Sequence, residues 1–172
     1  MTQPCLYIFV GYPGAGKTTV AQLISQLTGA VHLWADKERQ KRFDEVTHDH
    51  AESTVLYDQL NRETVDLLAE GKSVIFDTNF NFYADRERLR QLAAEHGATT
   101  VLIWLTTPRE LAERRAVEES EGAPTRLYGN MTTETFEHMA SKLEAPRASE
   151  QPLRIDGTHV TAEQLAKLLD LQ

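Results

Sequence analysis

Cysteine is nearly absent from this chain: Cys5 is the only one among 172 residues. No disulfide can close within it, which fits a reducing cytoplasm and leaves the hydrophobic core to hold the fold. Cys5 sits in an apolar run and reads as a strand residue rather than a nucleophile. Long apolar runs are also missing. None approaches the roughly 18 residues of a membrane span. Met1-Thr2-Gln3-Pro4 carries neither a basic segment nor a cleavage site, so no signal peptide is expected. Positive charge is scarce: 18 Lys and Arg face 26 Asp and Glu, for a formal net charge of −8. Nucleic-acid binders usually show a basic surface, so long nucleic acid is a disfavoured partner. What remains, 41% hydrophobic and 26% charged residues, is the composition of an ordinary globular protein. A single domain spanning 1–172 is expected.

Against this plain background one stretch stands out, Gly11-Tyr12-Pro13-Gly14-Ala15-Gly16-Lys17-Thr18. It fits G-x-x-x-x-G-K-[ST], a loop that cradles phosphates when it joins a strand to a helix. That context is present. Cys5–Val10 is apolar, and Val20, Leu23, Ile24 and Leu27 recur at helical spacing. The loop glycines add no side chain, so backbone N–H groups can turn inward toward a phosphate. The helix that follows adds its positive end. Gly11, Pro13, Gly14, Ala15, Gly16, Lys17, Thr18 and Thr19 are thus candidate ATP-binding residues. Lys17 is expected on the β- and γ-phosphates, and the Thr18 hydroxyl on Mg²⁺.

The rest of the chain repeats strand, helix, glycine. Strands read as Leu6–Val10, Ala30–Trp34, Ser73–Phe76, Thr99–Leu105 and Leu153–Ile155. Helices read as about 17–28, 37–43, 53–70, 83–96, 109–119, 133–143 and 161–170, the last opened by a Thr161/Gln164 capping box. Gly29, Gly71 and Gly97 each sit where a helix should end. Most of the strands are continuous apolar runs, the mark of a parallel sheet covered on both faces. The fold class is α/β, a three-layer α/β/α domain.

Open α/β sheets bind ligands at the carboxyl ends of their strands. Two ends besides the loop carry polar residues. Asp36 follows Trp34-Ala35, with Arg39 one turn later. Asp36 can take the proton of an attacking hydroxyl, or can cap a helix starting at Lys37. Arg39 can hold an acceptor, or be one charge in a solvated run. Asp77 ends Val74-Ile75-Phe76, a Walker B type position suited to Mg²⁺ or to orienting the acceptor, with Asn79 close by. Thr78 follows it, where a mechanical ATPase of the AAA+ type carries Glu. No Asn/Thr-Lys-x-Asp motif is present to read guanine, so ATP is the expected nucleotide. Ser120–Asn130, with Gly122, Pro124 and Gly129, is either a surface connection or a lid at about 120–131. Arg114 and Arg126 are candidates to neutralise the transferring phosphoryl group, Arg114 first, with Arg115 beside it. His48-Asp49-His50 suggests a metal cluster, but without a third His or a Cys nearby it reads as a loop. Trp34 and Trp104 read as core or pocket wall.

The loop, Asp36-x-x-Arg39, Asp77-Thr78-Asn79 with Asn81, Leu111-x-x-Arg114, and Met139-x-x-x-Leu143-Glu144-x-Pro146 together resemble the P-loop kinases related to polynucleotide 5′-hydroxyl kinase. That group includes zeta-toxin-like and chloramphenicol-phosphotransferase-like kinases and small kinases described only as AAA-family ATP-binding proteins. The resemblance covers most of the chain. It implies a five-stranded parallel sheet in the order 2-3-1-4-5, Asp36 as general base, Arg39 as acceptor contact and Asp77 at the site floor. Glu118 stands where polynucleotide kinases carry a second lid arginine, which leaves Arg115 or Arg126 for that role. The function expected is transfer of the γ-phosphate of Mg-ATP to a hydroxyl of a small-molecule or nucleoside acceptor. A polynucleotide 5′-hydroxyl kinase and a non-catalytic ATP-binding module are the alternatives.

Overall fold

The computed structural model describes residues 3–170. Met1 and Thr2, read above for a signal segment, lie outside the described residues. Five strands, β1 (Cys5–Val10), β2 (Val31–Trp34), β3 (Val74–Asp77), β4 (Thr99–Leu105) and β5 (Leu153–Ile155), form one parallel sheet in the order β2-β3-β1-β4-β5. This is the expected order. Seven helices connect and cover them: α1 (Lys17–Thr28), α2 (Ala35–Arg42), α3 (His50–Ala69), α4 (Tyr83–Glu95), α5 (Arg109–Val117), α6 (Thr133–Ser141) and α7 (Ala162–Leu168). A 3-10 turn, Ala148–Glu150, was not foreseen.

Alternation along the strands builds the layers, because successive side chains point to opposite faces. Leu6, Ile8 and Val10 of β1 meet Val74 and Phe76 of β3 and Leu56, Leu60 and Leu89 of α3 and α4. Tyr7 and Phe9 turn the other way, onto Val20 and Ile24 of α1 and Leu165 of α7. A third cluster, Ala112, Ala116, Phe136 and Ala140, joins α5 to α6 beside the sheet.

Two helix starts differ from the sequence reading. The α3 helix begins at His50 rather than 53, because the Asp49 carboxylate accepts from the backbone N–H of Glu52 at 2.8 Å and caps the first turn. The α2 helix begins at Ala35 with Trp34 at the cap position, so Asp36 lies in the first turn and is not the cap. Gly29, Gly71 and Gly97 follow α1, α3 and α4 with φ of 72°, 77° and 69°. Thr161 and Gln164 form the capping box.

The chain also closes over itself with a buried ion pair. Arg86 of α4 donates to both carboxylate oxygens of Glu150, at 2.7 and 3.0 Å, and to the Phe80 carbonyl at 3.0 Å. Glu144 adds two bonds to the same region: its N–H donates to the Asn81 carbonyl and its carboxylate accepts from the Tyr83 N–H. These contacts tie residues 144–150 to the segment after β3 that carries Asn79 and Asn81.

Candidate functional site

The glycine-rich loop leaves β1 and enters α1 through Gly16, whose φ is 102° and which makes no side-chain cap bond. The first N–H groups of α1 therefore face the loop's hollow without a capping partner, as an anion site requires. The loop is braced from outside. A Cβ on Gly14 would lie 2.1 Å from the Ala112 carbonyl oxygen of α5, at a φ of +77°. Thr107, just past β4, donates its hydroxyl to the Ala15 carbonyl at 2.7 Å and accepts from the Gly157 N–H at 3.1 Å. A Cβ on Gly157 would sit 2.1 Å from the Ala15 oxygen. Only glycine permits either approach.

Lys17 folds back over the loop, its Nζ donating to the carbonyls of Gly11 at 2.9 Å and Tyr12 at 2.7 Å. Desolvation lowers its pKa to about 7, against the raising influence of Asp77 and Asp36. Asp77 ends β3, 3% exposed, and its Oδ2 pairs with His32 Nε2 at 2.9 Å. Asp36 comes from the first turn of α2. Burial pushes its carboxyl above the usual carboxylate range, and neighbouring Asp77 pushes it further, opposed by Arg39 and Arg126. A carboxylate raised in this way is a better proton acceptor.

These groups open into a cavity of about 880 Å³ at the carboxyl ends of the strands. Pro13, Gly14, Gly16, Lys17, Thr18, Thr19, Asp36, Asp77, Asn79 and Arg126 all line it. Gly11 and Ala15, in the same loop, are buried and do not line the cavity. Arg39 and Arg114 lie outside the lining. Arg39 is 5% exposed and paired with Glu52 of α3. Arg114 is on the outer face of α5, its side chain 56% exposed and paired with Glu119 at 2.9 Å. Arg115, its neighbour, reaches the cavity instead and donates to the carbonyls of Gly157 at 2.8 Å and Thr158 at 3.0 Å. The segment between α5 and α6 forms the roof. Within it, Tyr128 donates its hydroxyl to the Asp36 carbonyl at 3.2 Å and meets the His48 ring edge-on at 4.5 Å.

Residues 6–146 match the model of a family described as AAA domain. The chain belongs to this family. The AAA-domain chain is 28% identical over 116 residues to a shikimate kinase of Persephonella marina, covering 65% of the chain and 67% of that protein. Its fold is that of a putative kinase from Chloroflexus aurantiacus, with a TM-score of 0.77, 20% identity and 98% of each chain covered. It also follows the Mycobacterium tuberculosis APS kinase solved with AMPPNP and APS, with a TM-score of 0.69, 21% identity and coverage of 99% and 98%. The resemblance read from the sequence to P-loop kinases fits this family.

Several parts of the site were not foreseen: Thr107, Gly157, Tyr128, and the roles of His32 and His48. Thr107 and Gly157 had a signal, since both stand just past the carboxyl end of a strand, where ligands gather in such sheets. His32 had none, while His48 reads only as part of a loop and Tyr128 only as part of the lid at 120–131. Among the described residues no group of three His, Cys, Asp or Glu is placed to hold a metal ion, and His48 and His50 diverge, one into the cavity and one into α3.

Proposed function

We propose that this AAA-domain chain is a kinase that moves the γ-phosphate of ATP to a hydroxyl of a small molecule. The observation that carries the reading is the meeting of Lys17, Thr18, Asp36 and Asp77 in one cavity, with Arg126 in its roof. A phosphate loop by itself only holds a nucleotide. A carboxylate with a raised pKa facing the same space adds a proton acceptor. The fold of the kinases above supports the same reading.

ATP lies with its phosphates along residues 13–19. Thr18 and Asp77 offer a hydroxyl and a carboxylate on one side of the loop, oxygen donors that suit a hard cation, and His32 occupies only the Oδ2 of Asp77. Mg²⁺ held there would neutralise phosphate charge. The acceptor hydroxyl attacks the γ-phosphorus, the bond from that phosphorus to the β,γ-bridging oxygen breaks, and ADP departs. The hydroxyl proton passes to Asp36. Lys17 turns from the loop carbonyls to the phosphates. Arg126 is the lid cation this geometry favours over Arg114, because it faces Asp36 from the roof. Residues 120–131 act as the lid that excludes water, which would otherwise divert the phosphoryl group.

The test is Asp36→Asn, assayed for transfer from labelled ATP and separately for ATP binding. Loss of the base should lower transfer by about 10²–10⁴-fold and leave ATP affinity within about twofold. Transfer at the wild-type rate would rule out Asp36 as the base.

A further inference from the structure

The charged side chains that line the cavity balance. Among the lining residues, Lys17, Arg115 and Arg126 face Asp36, Asp77 and Glu119. Two of those cations are already engaged with the nucleotide end: Lys17 on the phosphate loop, Arg115 on the carbonyls of residues 157 and 158. A bound nucleotide brings further negative charge. The third, Arg126, faces Asp36 and is assigned above to the transferring phosphoryl group, so an anionic acceptor would need a further cation, and Arg39 is the residue whose sequence position offers one.

Arg39 is not available for that task. Its Nη1 pairs with the Glu52 carboxylate, its Nη2 donates to Ser53 Oγ at 3.3 Å, and neither Arg39 nor Glu52 lines the cavity. Only its Nε is buried without a partner. Glu52 in turn accepts from the Thr47 N–H at 2.6 Å, the Thr47 hydroxyl at 3.0 Å and the His48 N–H at 3.2 Å. The pair therefore pins residues 47 and 48, and through them the His48 ring that meets Tyr128 over Asp36. A buried carboxylate bonded this fully is not readily given up, because breaking the pair leaves a charge unpaired.

Beside the base Asp36 and the phosphoryl-directed Arg126, the lining offers the acceptor uncharged groups. Trp34 and Met139 supply apolar wall, Tyr128 a hydroxyl, and Asn79 an amide whose Oδ1 is buried with no partner. An orphaned amide in a cavity wall calls for a polar partner from a ligand. An aromatic face beside neutral hydrogen-bonding groups suits a sugar ring or a nucleoside.

We propose that the acceptor is an uncharged polyhydroxy compound, and that Arg39 is a positioning residue that acts through Glu52 rather than an acceptor contact. This rests on the kinase reading above. The test compares matched acceptors with wild-type protein and labelled ATP: glucose against gluconate, and adenosine against adenosine 3′-phosphate and a 5′-hydroxyl oligonucleotide. At least one uncharged member should be phosphorylated with a kcat/KM at least tenfold above that of its charged partner. Preference for a charged member would overturn this inference and leave the kinase reading standing. Transfer to none, with ATP also not consumed, would overturn both. Transfer to none with ATP still hydrolysed would overturn the polyhydroxy assignment alone.

Variants probe the second half. Arg39→Met, Glu52→Gln and the double variant should each lower kcat by a similar factor, with the acceptor KM within twofold and ATP affinity unchanged. Arg39→Lys, which keeps the ion pair, should recover most of the lost kcat. A rise in acceptor KM confined to Arg39→Met, absent in Glu52→Gln, would identify Arg39 as an acceptor contact. Circular dichroism selects the variants that fold, and the wild-type comparison stands without them.

Discussion

The two ends of the cavity are built by different means. The phosphate end is made of backbone: one continuous loop, one helix start, and glycines that let Ala112 and Ala15 approach. The one charged side chain of the loop, Lys17, lies in the same eight residues. The acceptor end is made of side chains from separate elements, with Asp36 from α2, His48 from the turn before α3, Asn79 after β3 and Tyr128 from the roof. The first end depends on close backbone packing, so a methyl group can destroy it. The second depends on convergence, so the effect of a change there depends on the group, large at Asp36 and small at the Tyr128 hydroxyl.

The comparison breaks most sharply at Gly14. Gly14→Ala forces a left-handed φ on alanine and drives a Cβ to within 2.1 Å of a backbone oxygen. The loop must move, at a cost of about 3 kcal/mol. In a domain of this size that should lower the melting temperature by roughly 8 °C, and ATP affinity should fall with it. Thermal melts and calorimetric ATP titration check both. An unchanged melting temperature would mean that α5 does not brace the loop.

A smaller effect follows from Lys17. In the free protein its pKa is about 7. Bound phosphates favour the charged form, so ATP binding raises that pKa. Well below pH 7 the lysine is already charged and its contribution to affinity is flat. Above pH 7 the free lysine loses its proton, ATP binding must restore it, and affinity falls by up to tenfold per pH unit. Calorimetry at pH 8 in buffers of different ionisation enthalpy should therefore show proton uptake, approaching one proton per ATP. No uptake would place the lysine's pKa in the free protein well above 8.

The smallest effect belongs to the acceptor end. Tyr128→Phe removes one hydroxyl bonded to the Asp36 carbonyl at the edge of the roof. A hydrogen bond of this kind contributes about 1 kcal/mol, so transfer should drop about fivefold with ATP affinity unchanged. A loss of ATP affinity in this variant would mean that the two ends are coupled through the roof.

Much of this molecule is legible in its sequence. The five strands and their covering helices followed from apolar runs and helical spacing, and their parallel arrangement from runs apolar on both faces. Helix starts were less legible. The Asp49 cap moved α3 three residues earlier, and Asp36, a favoured cap residue, turned out to be inside its helix. Propensity names residues that can cap, and the turn geometry selects which one does.

The sequence by itself determined the phosphate loop, because everything it needs is local: eight consecutive residues with a strand before and a helix after. It also determined the formal net charge of −8. Tertiary structure alone decided which arginine enters the cavity. Arg114 and Arg115 are adjacent in sequence, but helical rotation sends one to Glu119 and solvent and the other to Gly157. Tertiary structure alone also joined Arg39 to Glu52, 13 residues away, and Tyr128 to Asp36, 92 residues away. Such pairings depend on how packed helices face one another, and no local pattern records that.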